Sequence, residues 1–337
     1  MSESYETIRL GAAQVAEVYM DREATVEKDC EYIEEAGEKG IDLLVFPEFH
    51  IPASPHWFIR AREIDSASFS ADFQEYYKDL FENAVTVPGP AVDRLCEAAR
   101  EAETAVVMGI NEKVAGTGGT LYNSLVFIDR DGTLLGVRRK LVPTVHERLF
   151  HTGGSGQDVT TFDSALGTLG GLMCSEHTNH LACYAMMADQ QAIHAAAWPA
   201  FTHNREWREH VAVDLTKHHA YVGGVATASA SGVITDELLA DLGDPDLDTD
   251  SGTSTIISPN GEILAGPKWE GEGIIFADVD MGDRVRSQAY HDITGHYNRF
   301  DIFRLLIDRS PQEPIEEVSS PSFEHVDMSS EIGENVE

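Results

Sequence analysis

Along the 337-residue chain, the spacing of apolar positions switches repeatedly between short strand-like runs and the three-to-four repeat of a helix. Ile8–Ala16 alternates apolar and small residues and predicts a first strand. Ala24–Lys39 sets Val26, Cys30, Ile33 and Ala36 on one helical face and stops at Gly40. Leu43–Phe46 is a short apolar run halted by Pro47, which completes a β–α–β opening. Asp72–Asn83 and Val92–Ala102 predict helices on either side of the turn Val87-Pro88-Gly89-Pro90. Three strands are expected next, at Ala105–Ile110, Tyr122–Ile128 and Thr133–Val137, with Asp131-Gly132 as a hairpin turn. Leu169–Met173 reads as a buried strand, Leu181–Gln190 as a helix and Ile193–Trp198 as a strand ended by Pro199. Glu206–His219 predicts a helix and Tyr221–Ala226 a strand. Asp236–Asp250 reads as an aspartate-rich solvated loop without the spacing of a calcium loop. Ser254–Ile257, Glu262–Leu264 and Ile274–Asp278 add strands, with Asn260-Gly261 as a second hairpin turn. His50–Asp72 holds Pro52, Pro55, His56, Trp57 and Phe58, and is expected to be an irregular, pocket-lining loop. Alternating strands and helices without internal repeats predict an α/β fold.

Composition narrows the function. The chain is 42% hydrophobic, ample for a full core, yet carries 58 acidic against 24 basic residues, a net −34. That balance excludes binding through phosphate neutralisation, so neither nucleic acid nor an anionic membrane is an expected partner. It also implies a salt-rich setting, since self-repulsion is relieved where the Debye length falls to about 3 Å at about 1 M salt. Cys30, Cys96, Cys174 and Cys183 form no CxxC pair, the N-terminus has no apolar signal region, and no run reaches membrane-spanning length. A reducing cytoplasm is the expected location. Residues 1–310 are expected to form one domain. The acidic tail 311–337, rich in Ser, Pro and Glu, is expected to be disordered or to contact another subunit.

Three stretches carry candidate chemistry. Cys174 ends a buried strand and is followed by Ser175, Glu176, His177, Thr178, Asn179 and His180 ahead of a helix. Helix N-terminal amides there would favour the thiolate and lower its reference pKa of about 8.5. Glu48 sits just past the apolar run Leu43–Phe46, where functional side chains collect in layered α/β folds. Its neighbours Phe46, Phe49 and Ile51 would desolvate it and raise its pKa towards neutrality. Lys140 follows a strand-like segment and precedes Pro143 and Glu147. The glycine-rich segments 116–119 and 153–156 lack a following Lys-Ser/Thr, which excludes a P-loop, and no GxGxxG follows a strand.

Phe46-Pro47-Glu48, then Arg138–Thr144 with Glu147 after it, then Gly171–His177 around Cys174, in that order, resemble the nitrilase superfamily of carbon–nitrogen hydrolases, and its nitrilase branch in particular. His194–Pro199 and Gly295–Asp301 support the resemblance, which runs from about Ile8 to Ile307. The resemblance implies a four-layer α-β-β-α sandwich, usually a homodimer or a larger homo-oligomer, acting on a small-molecule nitrile. It implies Glu48 as proton acceptor, Lys140 as stabiliser of developing negative charge, Cys174 as nucleophile and Glu147 as the group orienting Lys140 or water. No metal or other cofactor is expected. Candidate substrate contacts are His50, Trp57, Ser175, Glu176, His177, Thr178 and Trp198, with His180 and Phe201 also near. The chain departs from the family pattern at Ser175, where a tryptophan is usual, and in the segment after Glu48. Three alternatives stay open: an amidase or a nitrile or cyanide hydratase on the same site, a metal hydrolase using His203, His210, His218 and His219, and a non-catalytic scaffold.

Overall fold

The computed structural model describes residues 6–54, 71–243 and 247–311. Its centre is a pair of six-stranded sheets. The first runs β12-β1-β2-β3-β4-β5, built from β1 (Thr7–Gln14), β2 (Leu43–Val45), β3 (Ala105–Lys113), β4 (Leu121–Ile128), β5 (Leu134–Arg139) and β12 (Gly273–Asp280). The second runs β11-β10-β9-β8-β7-β6, from β6 (Phe162–Ser164), β7 (Gly167–Met173), β8 (Ile193–Trp198), β9 (Ala226–Ser231), β10 (Asp250–Ile257) and β11 (Ile263–Glu270). Each sheet has a parallel centre, β1-β2-β3 in one and β7-β8-β9 in the other, with antiparallel strands outside it.

The two sheets face each other across one apolar layer. Of its twenty buried residues eight are alanines, Ala195, Ala197, Ala226, Ala228 and Ala230 among them, so the sheets can approach closely. Helices α1 (Arg22–Glu38) and α3 (Pro90–Ala102) cover the outer face of the first sheet through Val26, Ile33, Ala36, Val92, Leu95 and Ala99. A further helix, α2 (Ala71–Asn83), precedes α3, and α4 (His180–Ala188) packs on β7 through Ala182, Ala185 and Met186. The result is the four-layer α-β-β-α sandwich. Caps fix the helix starts. Asp21 accepts from the Ala24 amide at 3.0 Å, and Asn179 accepts from Leu181 and Ala182 at 3.1 and 3.2 Å; such caps are worth about 1 kcal/mol each.

Several elements differ from the pattern-based expectation. The helix expected at Glu206–His219 begins as α5 (Arg205–Arg208), widens into a π-helical turn at Glu209–Val213 and continues as α6 (Asp214–Gly223). Tyr221–Gly223 therefore belong to a helix, which Gly224 ends at φ 57°, and the strand starts only at Ala226. The strand's sequence, Ala-Thr-Ala-Ser-Ala-Ser, is too small and polar to give a strand signature. Asp236–Leu242 forms α7 instead of a loop: Thr235 caps it, and Leu238 and Leu242 bury against Ala16, Val233 and Ile234. Strand β11 extends to Glu270 despite Pro267, which an edge strand tolerates. Strand β6 was not expected, and a last helix, α8, spans Gly282–His291. The tail beyond Pro311 lies outside the described residues. Among the described residues no helix is long and apolar enough to cross a membrane.

Candidate active site

The ends of strands from both sheets meet at one place. Glu48 follows β2 on a tight turn in which Phe49 has φ 60°. The turn lies directly against Gly109 of β3, where a Cβ would fall 1.9 Å from the Pro47 carbonyl oxygen and 2.8 Å from Glu48 Cα. Only glycine permits this approach. The Glu48 amide also donates to the Trp198 carbonyl at 3.3 Å, linking the turn to β8 of the other sheet. Lys140 stands just past β5, and its amide donates to Asn123 of β4 at 2.8 Å. Glu147 lies on a 3-10 turn, Val145–Leu149. Cys174 directly follows β7, with a left-handed φ of 47°.

The charged side chains form one buried cluster. Lys140 Nζ donates to Glu48 Oε1 at 2.8 Å and to Glu147 Oε1 and Oε2 at 2.8 and 3.0 Å. Asn123 Nδ2 donates to the same Glu48 oxygen at 2.7 Å. Glu48 and Lys140 are almost wholly buried, at 0% and 1% exposure. Burial raises the Glu48 carboxyl to about 7, against the pull of Lys140 and with some help from Glu147. Burial pulls Lys140 down, but Glu48, Glu147 and Cys174 together outweigh it and keep the ammonium charged. Glu48 Oε2 has no hydrogen-bond partner among the described residues. One carboxylate oxygen is committed to Lys140 and Asn123; the other is not.

Cys174 lies in the field of the same three groups. Burial, then Glu48, push its thiol up to about 12, with Lys140 opposing. This corrects the expectation of a thiolate stabilised by helix amides. Helix α4 begins six residues later, at His180, and a 3-10 turn, Cys174–Thr178, stands between. These surroundings favour the thiol form of the sulfur.

The candidate substrate contacts separate. Glu176 is fixed from four directions: Arg138 Nη1 and Nη2 donate to it at 2.7 and 2.8 Å, and the Leu141 and Met173 amides at 3.0 Å each. It locks the cysteine turn onto β5, and every acceptor position is used within the fold. His177 is buried and its Nδ1 lies 2.9 Å from the Cys174 carbonyl. Trp198 is fully buried and stacks on His177 at 4.9 Å. His50 pairs at 2.7 Å with Asp29 of α1, both fully buried, so its role is to tie the Glu48 turn to the helical layer. Ser175 Oγ is 3.6 Å from Cys174 Sγ. Thr178 is exposed and donates to the Ser175 carbonyl at 2.7 Å, and His180 is exposed. Phe201 is buried 6.0 Å from Trp198. Trp57 lies outside the described residues. The histidines proposed as metal ligands disperse: His203 stacks on Trp207, His210 faces Asp214 at 3.3 Å, and His219 is buried against His194.

Sequence reasoning missed Asn123 and the structural use of Arg138. An asparagine inside the apolar run of β4 was the available signal for the first. For the second it was strand alternation, which turns Arg138 to the opposite face from Arg139.

A carbon–nitrogen hydrolase family model matches residues 9–289. The chain belongs to the carbon–nitrogen hydrolase family. This carbon–nitrogen hydrolase is 37% identical over 305 residues to Nitrilase 2 of an unknown prokaryotic organism, covering 90% of this chain and 93% of that one. It is 34% identical to Nitrilase 2 of Arabidopsis thaliana, covering 93% and 92%, and 33% identical to an aliphatic nitrilase of Rhodococcus rhodochrous, covering 94% and 86%. Its fold matches that of Saccharomyces cerevisiae Nit3, a member of branch 10 of the nitrilase superfamily. The TM-score is 0.69 at 19% identity, covering 90% of this chain and 99% of that one. An amidase of the superfamily from Nesterenkonia matches with TM-score 0.60 at 17% identity, over 84% and 94% of the two chains.

Proposed function

We propose that this carbon–nitrogen hydrolase converts a small-molecule nitrile to its carboxylic acid and ammonia. The observation that carries the reading is the buried Lys140 held by two carboxylates, with one oxygen of Glu48 left uncommitted and the half-buried Cys174 in the same electrostatic field. Glu48 takes the Cys174 proton as the sulfur attacks the nitrile carbon and passes it to the nitrile nitrogen, which gives a thioimidate and leaves Glu48 unprotonated. Lys140, held in place by Glu147, offers N–H groups to the nitrogen as negative charge builds there, and later to the tetrahedral oxygen. Glu48 then removes a proton from water as its oxygen adds to carbon. It returns that proton to nitrogen and then relays the hydroxyl proton to it as the carbonyl forms, so that the C–N bond breaks, ammonia leaves and a thioester remains. A second water, deprotonated in the same way, cleaves the C–S bond, releases the acid and restores the thiol. The nitrile names of the homologous enzymes support this substrate class.

The same reading places the enzyme in a reducing, salt-rich cytoplasm, as a single hydrolase domain over 1–310 with an acidic tail. It takes the enzyme to be a homo-oligomer, which the exposed Leu181, Tyr290, Phe303 and Leu306 support. The test is to measure acid, amide and ammonia formed per nitrile consumed, with mass spectrometry of quenched enzyme. Acid and ammonia in equal amounts, with an acyl group on Cys174, are expected. Mainly amide, with no acyl-enzyme, would replace a nitrilase with a hydratase; turnover of amides alone would replace it with an amidase.

A further inference from the structure

Beneath the cysteine turn lies a row of buried side chains that the hydrolytic steps do not use. His177 Nδ1 is 2.9 Å from the Cys174 carbonyl oxygen, and its Nε2 is 3.0 Å from His194 Nε2. His194 Nδ1 is 2.5 Å from Gln191 Nε2, which also lies 3.1 Å from the Ile193 carbonyl. His177, His194 and Gln191 are 3%, 0% and 1% exposed. A carbonyl oxygen only accepts, so His177 must carry its proton on Nδ1. A neutral imidazole has one N–H, so His177 Nε2 accepts and His194 must carry its proton on Nε2. His194 Nδ1 then accepts from the Gln191 amide, whose second hydrogen goes to the Ile193 carbonyl. One carbonyl thus orders every proton in the row.

The surroundings protect this order. Burial is the largest cause that keeps both rings neutral; Arg138 and Lys140 add positive charge beside His177, and Arg138 does so beside His194. Glu176 is the opposing carboxylate near His177, and its oxygens are taken up by Arg138 and two amides. Trp198 stacks on His177, and the His219 ring of α6 lies 4.0 Å from His194, so the flanking groups present ring surfaces. Gly170 of β7 pairs in register with His194, and a Cβ there would fall 3.0 Å from Gln191 Cδ. Glycine at that position leaves room for the anchor of the row.

The other end of the row is a strained residue. A left-handed backbone costs a non-glycine residue about 1–3 kcal/mol and persists only where its surroundings hold it. We infer that His177 and His194, anchored by Gln191, are positioning residues that hold the Cys174 carbonyl, and with it the backbone that aims Sγ, through a one-way row of hydrogen bonds. The inference rests on Cys174 being the nucleophile, but part of its test needs no substrate.

In histidine-labelled enzyme, nitrogen NMR should show His177 as the Nδ1–H tautomer and His194 as the Nε2–H tautomer, with signals assigned by their loss in His177→Asn and His194→Gln. Alkylation of Cys174 by iodoacetamide, followed by mass spectrometry, should slow in His194→Phe. In nitrile turnover, His194→Phe should lower kcat by about 10–100-fold, the scale of a small misplacement of a reacting group, and change KM by less than about threefold. His194→Gln, which sets an amide N–H near the Nε2 position, should recover most of both losses. An Nε2–H tautomer at His177 would overturn the inference. So would a His194→Phe enzyme whose Cys174 alkylates and turns over at the wild-type rate. If His194→Phe does not fold, the wild-type tautomers still decide. If no nitrile is consumed, the tautomers and the alkylation rate still decide.

Discussion

The turn that carries Cys174 depends on a buried ion pair, and replacing Glu176 by glutamine tests how much. The change keeps the side chain's size and removes its charge. All four hydrogen bonds to Glu176 come from donors, two on Arg138 and two on the backbone. A glutamine amide must therefore turn its NH2 towards at least one N–H, and it leaves the guanidinium of Arg138, itself 0% exposed, without a counter-charge. Removing one partner of such a pair costs about 3–5 kcal/mol. At about 2 °C per kcal/mol for a chain of this size, Tm should fall by about 6–10 °C. Urea unfolding of both proteins followed by circular dichroism measures the difference. Adding Arg138→Met should cost little more, because the stranded cation is then gone. The pH dependence has a definite sign. Arg138 and the two amides outweigh burial and hold Glu176 below the usual carboxylate range. Its stabilisation is complete above the unfolded carboxylate pKa of about 4.3 and is lost as pH falls through the lower folded value. The gap between wild type and Glu176→Gln should therefore be constant from neutrality to about pH 5 and close only in stronger acid. A loss below about 1 kcal/mol at neutral pH, typical of an exposed pair, would refute this account.

Other measurements bear on the catalytic assignment and the surface. Glu48 must be unprotonated to accept a proton, so kcat/KM should rise with pH through about 7 and then level off while Cys174 remains a thiol. A rate independent of pH between 5.5 and 8.5, on the order of this transition's width, would remove Glu48 as the base. Cys174→Ala should abolish turnover with the fold retained, while Ala at Cys30, Cys96 or Cys183 should leave at least about a third of wild-type activity. The net charge of −34 predicts an unfolding midpoint that rises as potassium chloride increases from tenths of a molar to several molar. A flat or falling midpoint would count against salt adaptation and leave the chemistry untouched.

Much of the architecture was legible because its signals are local. Leu43–Phe46 and Ile193–Trp198 are short apolar runs, and α1 carries an apolar face bounded by Asp21 and Gly40. Strand β9 was displaced by several residues because its alanines, serines and threonine bury without a bulky alternation. The helix at Asp236–Leu242 was hidden by its acids, while only two leucines mark its inner face. Glu48, Lys140 and Cys174 stood out because each follows a strand-like run, and the resemblance to the nitrilase superfamily gave them their roles and added Glu147. What the side chains around them do was not legible. Glu176, His177 and His50 read as polar residues beside a nucleophile, yet their partners are Arg138, His194 and Asp29, 38, 17 and 21 positions away in the chain. Only tertiary packing decides whether a polar neighbour faces the ligand or the fold.

The alanine layer between the sheets has a use beyond packing. Glu48 and Lys140 ride on one sheet and Cys174 on the other, so no single rigid element sets the distance from the Glu48 carboxyl to the sulfur. The thickness of the layer contributes to it beside the Glu176–Arg138 and Glu48–Trp198 links, much as a shim contributes to the clearance between two bolted plates. Ala195, Ala197, Ala226, Ala228 and Ala230 are the thinnest chiral shims available. One added methyl pair at such a position would part the plates by a fraction of an ångström and retune the reaction from a residue that touches no reacting atom. For anyone adapting this enzyme, that layer is an adjustment screw set apart from the charged cluster itself.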